Sequence, residues 1–188
     1  MINFKIAGVK IRLTFLFTAL LTVILLLDKS GLVLWGLIAA FMHEIGHIIA
    51  FIITGNKPCE ISMEISGIKI VKANDNFNYA KEAVLLLSGP IINFGTALIL
   101  YLTNNIGIIF YIHFMLGIFN MLPISVLDGG KLLKLALLYK MDINSAENFI
   151  KKMSYIIIIP LFIGGIILSF NMNFTLLITS IYLFIIVL

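Results

Sequence analysis

Cysteine and charge are both scarce in this 188-residue chain. A single cysteine, Cys59, excludes a disulfide framework within the chain and any multi-cysteine metal site. Asp, Glu, Lys and Arg make up only 12% of residues, about half the usual quarter for a soluble domain. Hydrophobic residues make up 61%, and the mean hydropathy is +1.14. A water-soluble fold of this size could not hide so much apolar surface behind so few charges. The composition argues against a soluble enzyme and against a disordered chain, and it makes lipid the main solvent. No polar linker divides the apolar runs and no internal repeat is present, so one domain over residues 1–188 is expected. No basic run interleaved with aromatics appears either. The net charge of +4 therefore points to the cytoplasmic Lys and Arg of a membrane protein, and no nucleic-acid partner is expected.

Long apolar runs are what the chain does have. Six come close to the roughly 20 residues that a spanning helix needs. They run from Arg12 to Leu27, Leu32 to Thr54, Ala83 to Thr103, Gly107 to Leu127, Tyr155 to Phe170 and Phe174 to Leu188. The first, fifth and sixth are short, and a tight Asn171-Met172-Asn173 turn joins the last two. No small-x-small cleavage site follows the first run, so it reads as a retained helix. With the N-terminus in the cytoplasm, Lys5, Lys10 and Arg12 fall inside. Lys57, Lys69, Lys72 and Lys81 join them, as do Lys131, Lys134, Lys140, Lys151 and Lys152. That puts 12 of 13 basic residues on one side, leaving Lys29 outside, and makes both termini cytoplasmic.

Three polar stretches are more than connectors. Glu60 to Met63 and Ile65 to Val71 show partial alternation about Ser66-Gly67, which suggests a hairpin. Ile2 to Ile11 is strand-like, with a break at Gly8, and together these segments could form a small cytoplasmic sheet. Asp142 to Met153 reads as a short amphipathic helix, with Asn144 or Ser145 as its cap. The expected class is an all-α polytopic membrane protein of about six spanning helices with a small membrane-associated sheet.

Two carboxylates sit where lipid should be. Glu44 is near the middle of the second span and Asp128 closes the fourth. An ionisable group at bilayer depth is costly unless paired or hydrated, which makes it a functional candidate. His43 and His47 flank Glu44, giving His43-Glu44-Ile45-Gly46-His47, an HExxH pattern on a helix. Four residues are about one turn, so both imidazoles leave one face and can grip one metal ion. Two neutral imidazoles plus a carboxylate suit zinc, with a fourth position for water. Glu44 lies about 100° round the helix from His43, better placed to reach that water than the metal. At this composition the pattern arises by chance in about one chain in a thousand. Core histidines hydrogen-bonded between helices, with Glu44 as their ion-pair partner, are the purely structural alternative.

Asp128 is the one other buried carboxylate, and so the obvious third ligand. Pro123 removes a helix hydrogen bond before it, and Gly129-Gly130 permit unwound backbone after it. His43 lies mid-span and Asp128 nearer the cytoplasmic end, so the Pro123 break or a shifted span must bring them level. Asn120 or the carbonyls near Ser125 are candidates for supporting the ligands. His113 lies about 22 Å from Asp128 along a continuous helix, so it is expected near the outer surface, hydrogen-bonded or interfacial and far from the metal.

These residues resemble the site-2 proteases, intramembrane zinc metalloproteases. The resemblance rests on Phe41-Met42-His43-Glu44-Ile45-Gly46-His47, on Ser88-Gly89-Pro90-Ile91-Ile92-Asn93, and on Asn120-x-x-Pro123-x-x-x-Leu127-Asp128-Gly129. It is strongest for the stage IV sporulation protein FB subgroup. It implies His43, His47 and Asp128 as ligands of one zinc ion and Glu44 as general base. It also implies Asn120 and Pro123 as shaping the substrate cleft, and Asn93 as structural or near that cleft. Neither a PDZ-like insertion nor the subgroup's nucleotide-sensing CBS domain is seen, which puts regulation by ATP in doubt. The implied partner is a membrane-associated protein substrate, with a membrane-tethered pro-sigma factor as the leading candidate. A regulatory membrane partner or a homo-oligomer is compatible with it. The rival readings are an ion or proton relay, which needs no tightly bound zinc, and an inactive scaffold, against which the intact Glu44 argues.

Overall fold

A computed structural model of the chain describes residues 2–6, 9–55, 58–64, 67–72, 78–171 and 173–188. Gly8, Lys57, Ile65, Ser66 and Met172, which carry parts of the expected strand break, basic loop, hairpin and turn, lie outside them. The chain forms two units, residues 1–117 and 118–188. Seven helices and four strands occur among the described residues.

In the first unit, β1 (Ile2–Ile6) and β2 (Val9–Leu13) pair antiparallel. β2 pairs parallel with β3 (Pro58–Glu64), and β3 pairs antiparallel with β4 (Gly67–Lys72). The sheet order is β1-β2-β3-β4. Arg12 Nε meets Glu60 Oε1 at 2.9 Å across the parallel pair. Between β2 and β3 run α1 (Phe15–Leu27) and α2 (Leu32–Ile53). Their link is built on Asp28, whose carboxylate accepts from Ser30 Oγ, Ser30 N and Val33 N at 2.6, 3.0 and 2.9 Å. It thereby satisfies an amide in the first turn of α2, which has no partner within the helix. Gly31 precedes the helix with φ +72°, a left-handed conformation that suits glycine.

Next comes α3 (Tyr79–Leu102), which begins four residues before the expected span. Asn78 caps it by accepting from Ala80 N and Lys81 N at 3.0 and 3.2 Å. Lys81 Nζ donates to Thr54 O at 2.8 Å, placing a cation on the carboxyl end of α2. α4 (Ile108–Asn120) follows.

The second unit holds α5 (Asp128–Leu137), α6 (Ile143–Ser169) and α7 (Thr175–Val187). Its buried centre is Ile124, Ile158, Leu183 and Val187. Gly165 lets α6 approach α7 closely, since a Cβ there would lie 2.7 Å from the Leu177 backbone. Lys134 Nζ and Glu147 Oε1, 2.6 Å apart, join α5 to α6.

Fewer helices than the six expected spans meet the length for crossing among the described residues, and the expectations for α6 and Asp128 are corrected. Among the described residues, three helices are long and apolar enough to cross a membrane, namely α2, α3 and α6. α4 and α7 are shorter apolar helices, and α1, at 13 residues, is only about 20 Å long. The amphipathic segment from Asp142 and the fifth span are one helix, because Ala146, Ile150, Ser154 and Ile158 form an unbroken buried stripe at four-residue spacing. Its cap is Asp142, which accepts from Ser145 N at 3.1 Å, not Asn144 or Ser145. Asp128, finally, opens α5 and does not close a span. Gly129 and Gly130 are helical, and their lack of side chains lets α5 abut residues 121–125. A Cβ would fall 2.2 Å from Met121 O at Gly129 and 1.9 Å from Ile124 O at Gly130.

Gly130→Ala is therefore expected to cost about 2 kcal/mol or more, read as a lower melting temperature in detergent. An unchanged melt would mean that residues 121–125 yield freely. The Ser30 hydroxyl, with the Ser30 and Val33 amides, holds the Asp28 carboxyl below its usual value. A carboxyl depressed in the folded state lends stability above its unfolded pKa of about 3.9, and that stability fades as pH falls through the folded value. Trp35, the single tryptophan, stands one turn into α2 and reports the change. Its emission should shift on acidification below about pH 4 in the native chain. In Asp28→Ala it should already be shifted at neutral pH.

Candidate metal centre

α2 buries Ala39, His43, Gly46, His47, Ala50 and Phe51, the face that a 3.6-residue period predicts. Glu44 lies off this face and is half-buried. Against that face runs α3, and two glycines set how close it comes. A Cβ on Gly46 would sit 2.7 Å from Ser88 O. A Cβ on Gly89 would sit 2.5 Å from His47 Nε2 and 2.6 Å from His43 Nε2. Gly89 thus keeps clear the space that both imidazoles face.

Each ring nitrogen on the far side has a partner. His47 Nδ1 donates to Leu85 O at 2.8 Å. A carbonyl can only accept, so His47 carries a proton on Nδ1, and in the neutral ring Nε2 is then the accepting nitrogen. Ser88 Oγ donates to the same carbonyl at 2.6 Å and lies 3.3 Å from His47 Nδ1. Pro90 lies inside α3 and deletes one amide from its ladder just beyond this turn. On His43, Nδ1 meets the Asn93 side-chain amide at 3.0 Å. Asn93 is completely buried and also meets His113 Nδ1 at 3.2 Å.

The two Nε2 atoms are 3.2 Å apart. Two ring nitrogens this close are near enough for one cation to be held by both. His43 and His47 belong to the first unit and Asp128 to the second, and all three side chains are buried. Two imidazoles and one carboxylate form a donor set of the kind that catalytic zinc uses. Asp128 is buried at the first residue of α5, where the helix dipole favours negative charge. Lys131 Nζ stands 4.0 Å from its Oδ1.

Asn120 ends α4, and Pro123 lies in the turn between α4 and α5. In that turn Ser125 N donates to Ser154 Oγ at 2.9 Å, so the backbone there is held by α6. His113 corrects an expectation. It is hydrogen-bonded, as one of the two readings had it, but it is 2% exposed and one side chain away from His43. The distance along a straight helix misled, because α4 stops at Asn120 and the chain turns before Asp128. Asn93, expected to be structural or near the cleft, contacts His43 directly. The carbonyl of Leu85 had no signal in the sequence.

Comparison with known proteins found two likenesses. Residues 102–162 match the model of Peptidase family M50. The fold is similar to the site-2 protease from Methanocaldococcus jannaschii, with a TM-score of 0.70 and 20% identity over 98% of this chain and 92% of that one. No curated protein matches the sequence. The matched residues include Asp128 and stop short of His43 and His47. The family match covers about a third of the chain, and the likeness at 20% identity is one of fold.

Gly89→Ala tests the cleared space. The added methyl collides with both Nε2 atoms, and relief by 1–3 kcal/mol of displacement should weaken zinc binding about 10–100-fold. Chelator competition on the purified protein measures this. Wild-type affinity would show that the rings do not share this space.

Proposed function

We propose that the chain is an intramembrane zinc endopeptidase in which His43, His47 and Asp128 hold one zinc ion and Glu44 is the general base. The observation that carries this reading is the pair of Nε2 atoms 3.2 Å apart, each ring anchored through its Nδ1. A bound zinc ion acidifies water and polarises a peptide carbonyl. Glu44 takes a proton from the attacking water as the new C–O bond forms. It then hands that proton to the amine nitrogen as the C–N bond breaks. His47 is held in the right tautomer by Leu85 O, so its lone pair needs no rearrangement. Asp128 adds a negative charge from a helix start that favours one.

The substrate we infer is a membrane-associated protein segment that unwinds to present a peptide bond, since a helix shields its own carbonyls. Asn120 and Pro123 would shape the cleft that receives it. By resemblance to the stage IV sporulation protein FB subgroup, the leading substrate is a membrane-tethered pro-sigma factor, with both termini of the enzyme in the cytoplasm. Residues 1–188 would act as one metalloprotease domain in the bilayer, alone, as a homo-oligomer or with a regulatory membrane partner.

The test is zinc content together with cleavage of a panel of tethered substrates by purified protein. Glu44→Gln should retain zinc and lose cleavage by about 10²–10⁴-fold. Equal cleavage by the variant would remove Glu44 from the role of base. A protein without tightly bound zinc would favour an ion relay, and zinc without cleavage of any substrate would favour a scaffold.

A further inference from the structure

We propose that His113 is a positioning residue for the metal site, acting through Asn93 to hold His43 in the tautomer that can ligate. The inference rests on the zinc reading above. His113, Asn93 and His43 form a buried chain, with His113 Nδ1 3.2 Å from the Asn93 oxygen as placed and the Asn93 nitrogen 3.0 Å from His43 Nδ1, an amide orientation that a half-turn exchanges. All three lie in the first unit, on α4, α3 and α2. Aromatic packing holds α4 to α3 beside them. The Phe94 and Phe114 rings are 6.1 Å apart, Phe114 stacks on Phe110 at 5.7 Å, and Gly117 leaves room for Phe94.

The argument is one of hydrogen-bond polarity. An asparagine amide has one accepting end and one donating end, so it cannot offer the same end to both rings. Two assignments of the chain are self-consistent. In one, His113 Nδ1–H donates to Asn93 Oδ1, and Asn93 Nδ2 donates to His43 Nδ1. His43 Nε2–H then donates to the bare His47 Nε2 at 3.2 Å. His43 has no lone pair for a metal in that state. In the other, His43 carries its proton on Nδ1 and gives it to Asn93 Oδ1. Nδ2 then turns to His113, whose Nδ1 must accept and whose proton sits on Nε2. The second needs only a half-turn of the amide and a change of tautomer in two rings, with no change in net charge. It alone leaves both Nε2 atoms bare. His113 supports it by supplying the acceptor that the buried Asn93 NH₂ would otherwise lack, a loss that disfavours that orientation.

The test uses the full-length protein in detergent. The chain has only three histidines, so ¹⁵N-histidine labelling gives a tractable spectrum. In the zinc-loaded protein His113 should show a bare Nδ1 and a protonated Nε2. His113→Phe, which keeps the ring volume but cannot accept, should weaken zinc binding about 10–100-fold. His113→Gln, whose carbonyl can accept from Asn93, should stay much closer to wild type. Asn93→Asp accepts from His43 whichever oxygen faces it, so adding His113→Phe to it should cost clearly less than the same change in wild type. A proton on His113 Nδ1 in the loaded protein, or wild-type zinc affinity in His113→Phe, overturns the proposal. So does an equal loss in His113→Phe and His113→Gln that tracks a fallen melting temperature, since that marks simple packing. If the wild-type protein binds no zinc, the reading of the metal centre itself fails; if it binds zinc and His113 is indifferent, only this inference does.

Discussion

An imidazole buried among apolar helices has to satisfy its ring N–H inside the protein, and most of the site follows from how His43 and His47 do so. A buried donor without a partner costs roughly 1–3 kcal/mol, which is a large fraction of the stability of a small protein. Water is not at hand to meet that cost in a lipid-facing helix. α3 meets it with Leu85 O for His47 and the Asn93 amide for His43. Both partners must then come within 3.0 Å of rings on α2, and that distance requires the two helices to touch at Gly46 and Gly89. The close approach and the anchoring are thus one requirement.

Glycine does a second job in the unit that carries Asp128. There Gly129 and Gly130 let a helix start against the backbone of residues 121–125, while Ser154 takes the amide of Ser125. A carboxylate on such a helix start is held by backbone and not by a mobile loop. Each unit therefore depends on places where a side chain has been left out.

The α2 part of this was legible in the sequence, because the spacing of His43, Glu44 and His47 is local and the period of a helix converts it directly into a face. The boundaries of α2 were legible too, since Gly31 and Gly55 flank one apolar run. Three things were not. His113 and Asn93 are twenty residues apart, and Asn93 and His43 fifty, and no pattern within a single helix announces such a pairing. Asp128 with Gly129-Gly130 reads equally as the end of one helix or the start of another; the contact of those glycines with Met121 and Ile124 decides it. The joining of a polar segment to an apolar one in α6 was hidden by the change of composition near Tyr155, although the buried stripe runs through unbroken.

The sheet has a consequence for how the chain threads the bilayer. β2 and β3 pair in parallel, and α1 and α2 lie between them in sequence. Hydrogen-bonded strands must share a compartment, because open backbone edges do not survive in hydrocarbon. Any excursion of the intervening helices into a bilayer therefore has to begin and end on the same face, whatever the charges in the connection at Asp28 and Lys29. The ladder from Lys10–Glu60 to Leu13–Met63 acts as a latch on membrane orientation, so inverting one of its strands relative to the other would first require that ladder to break.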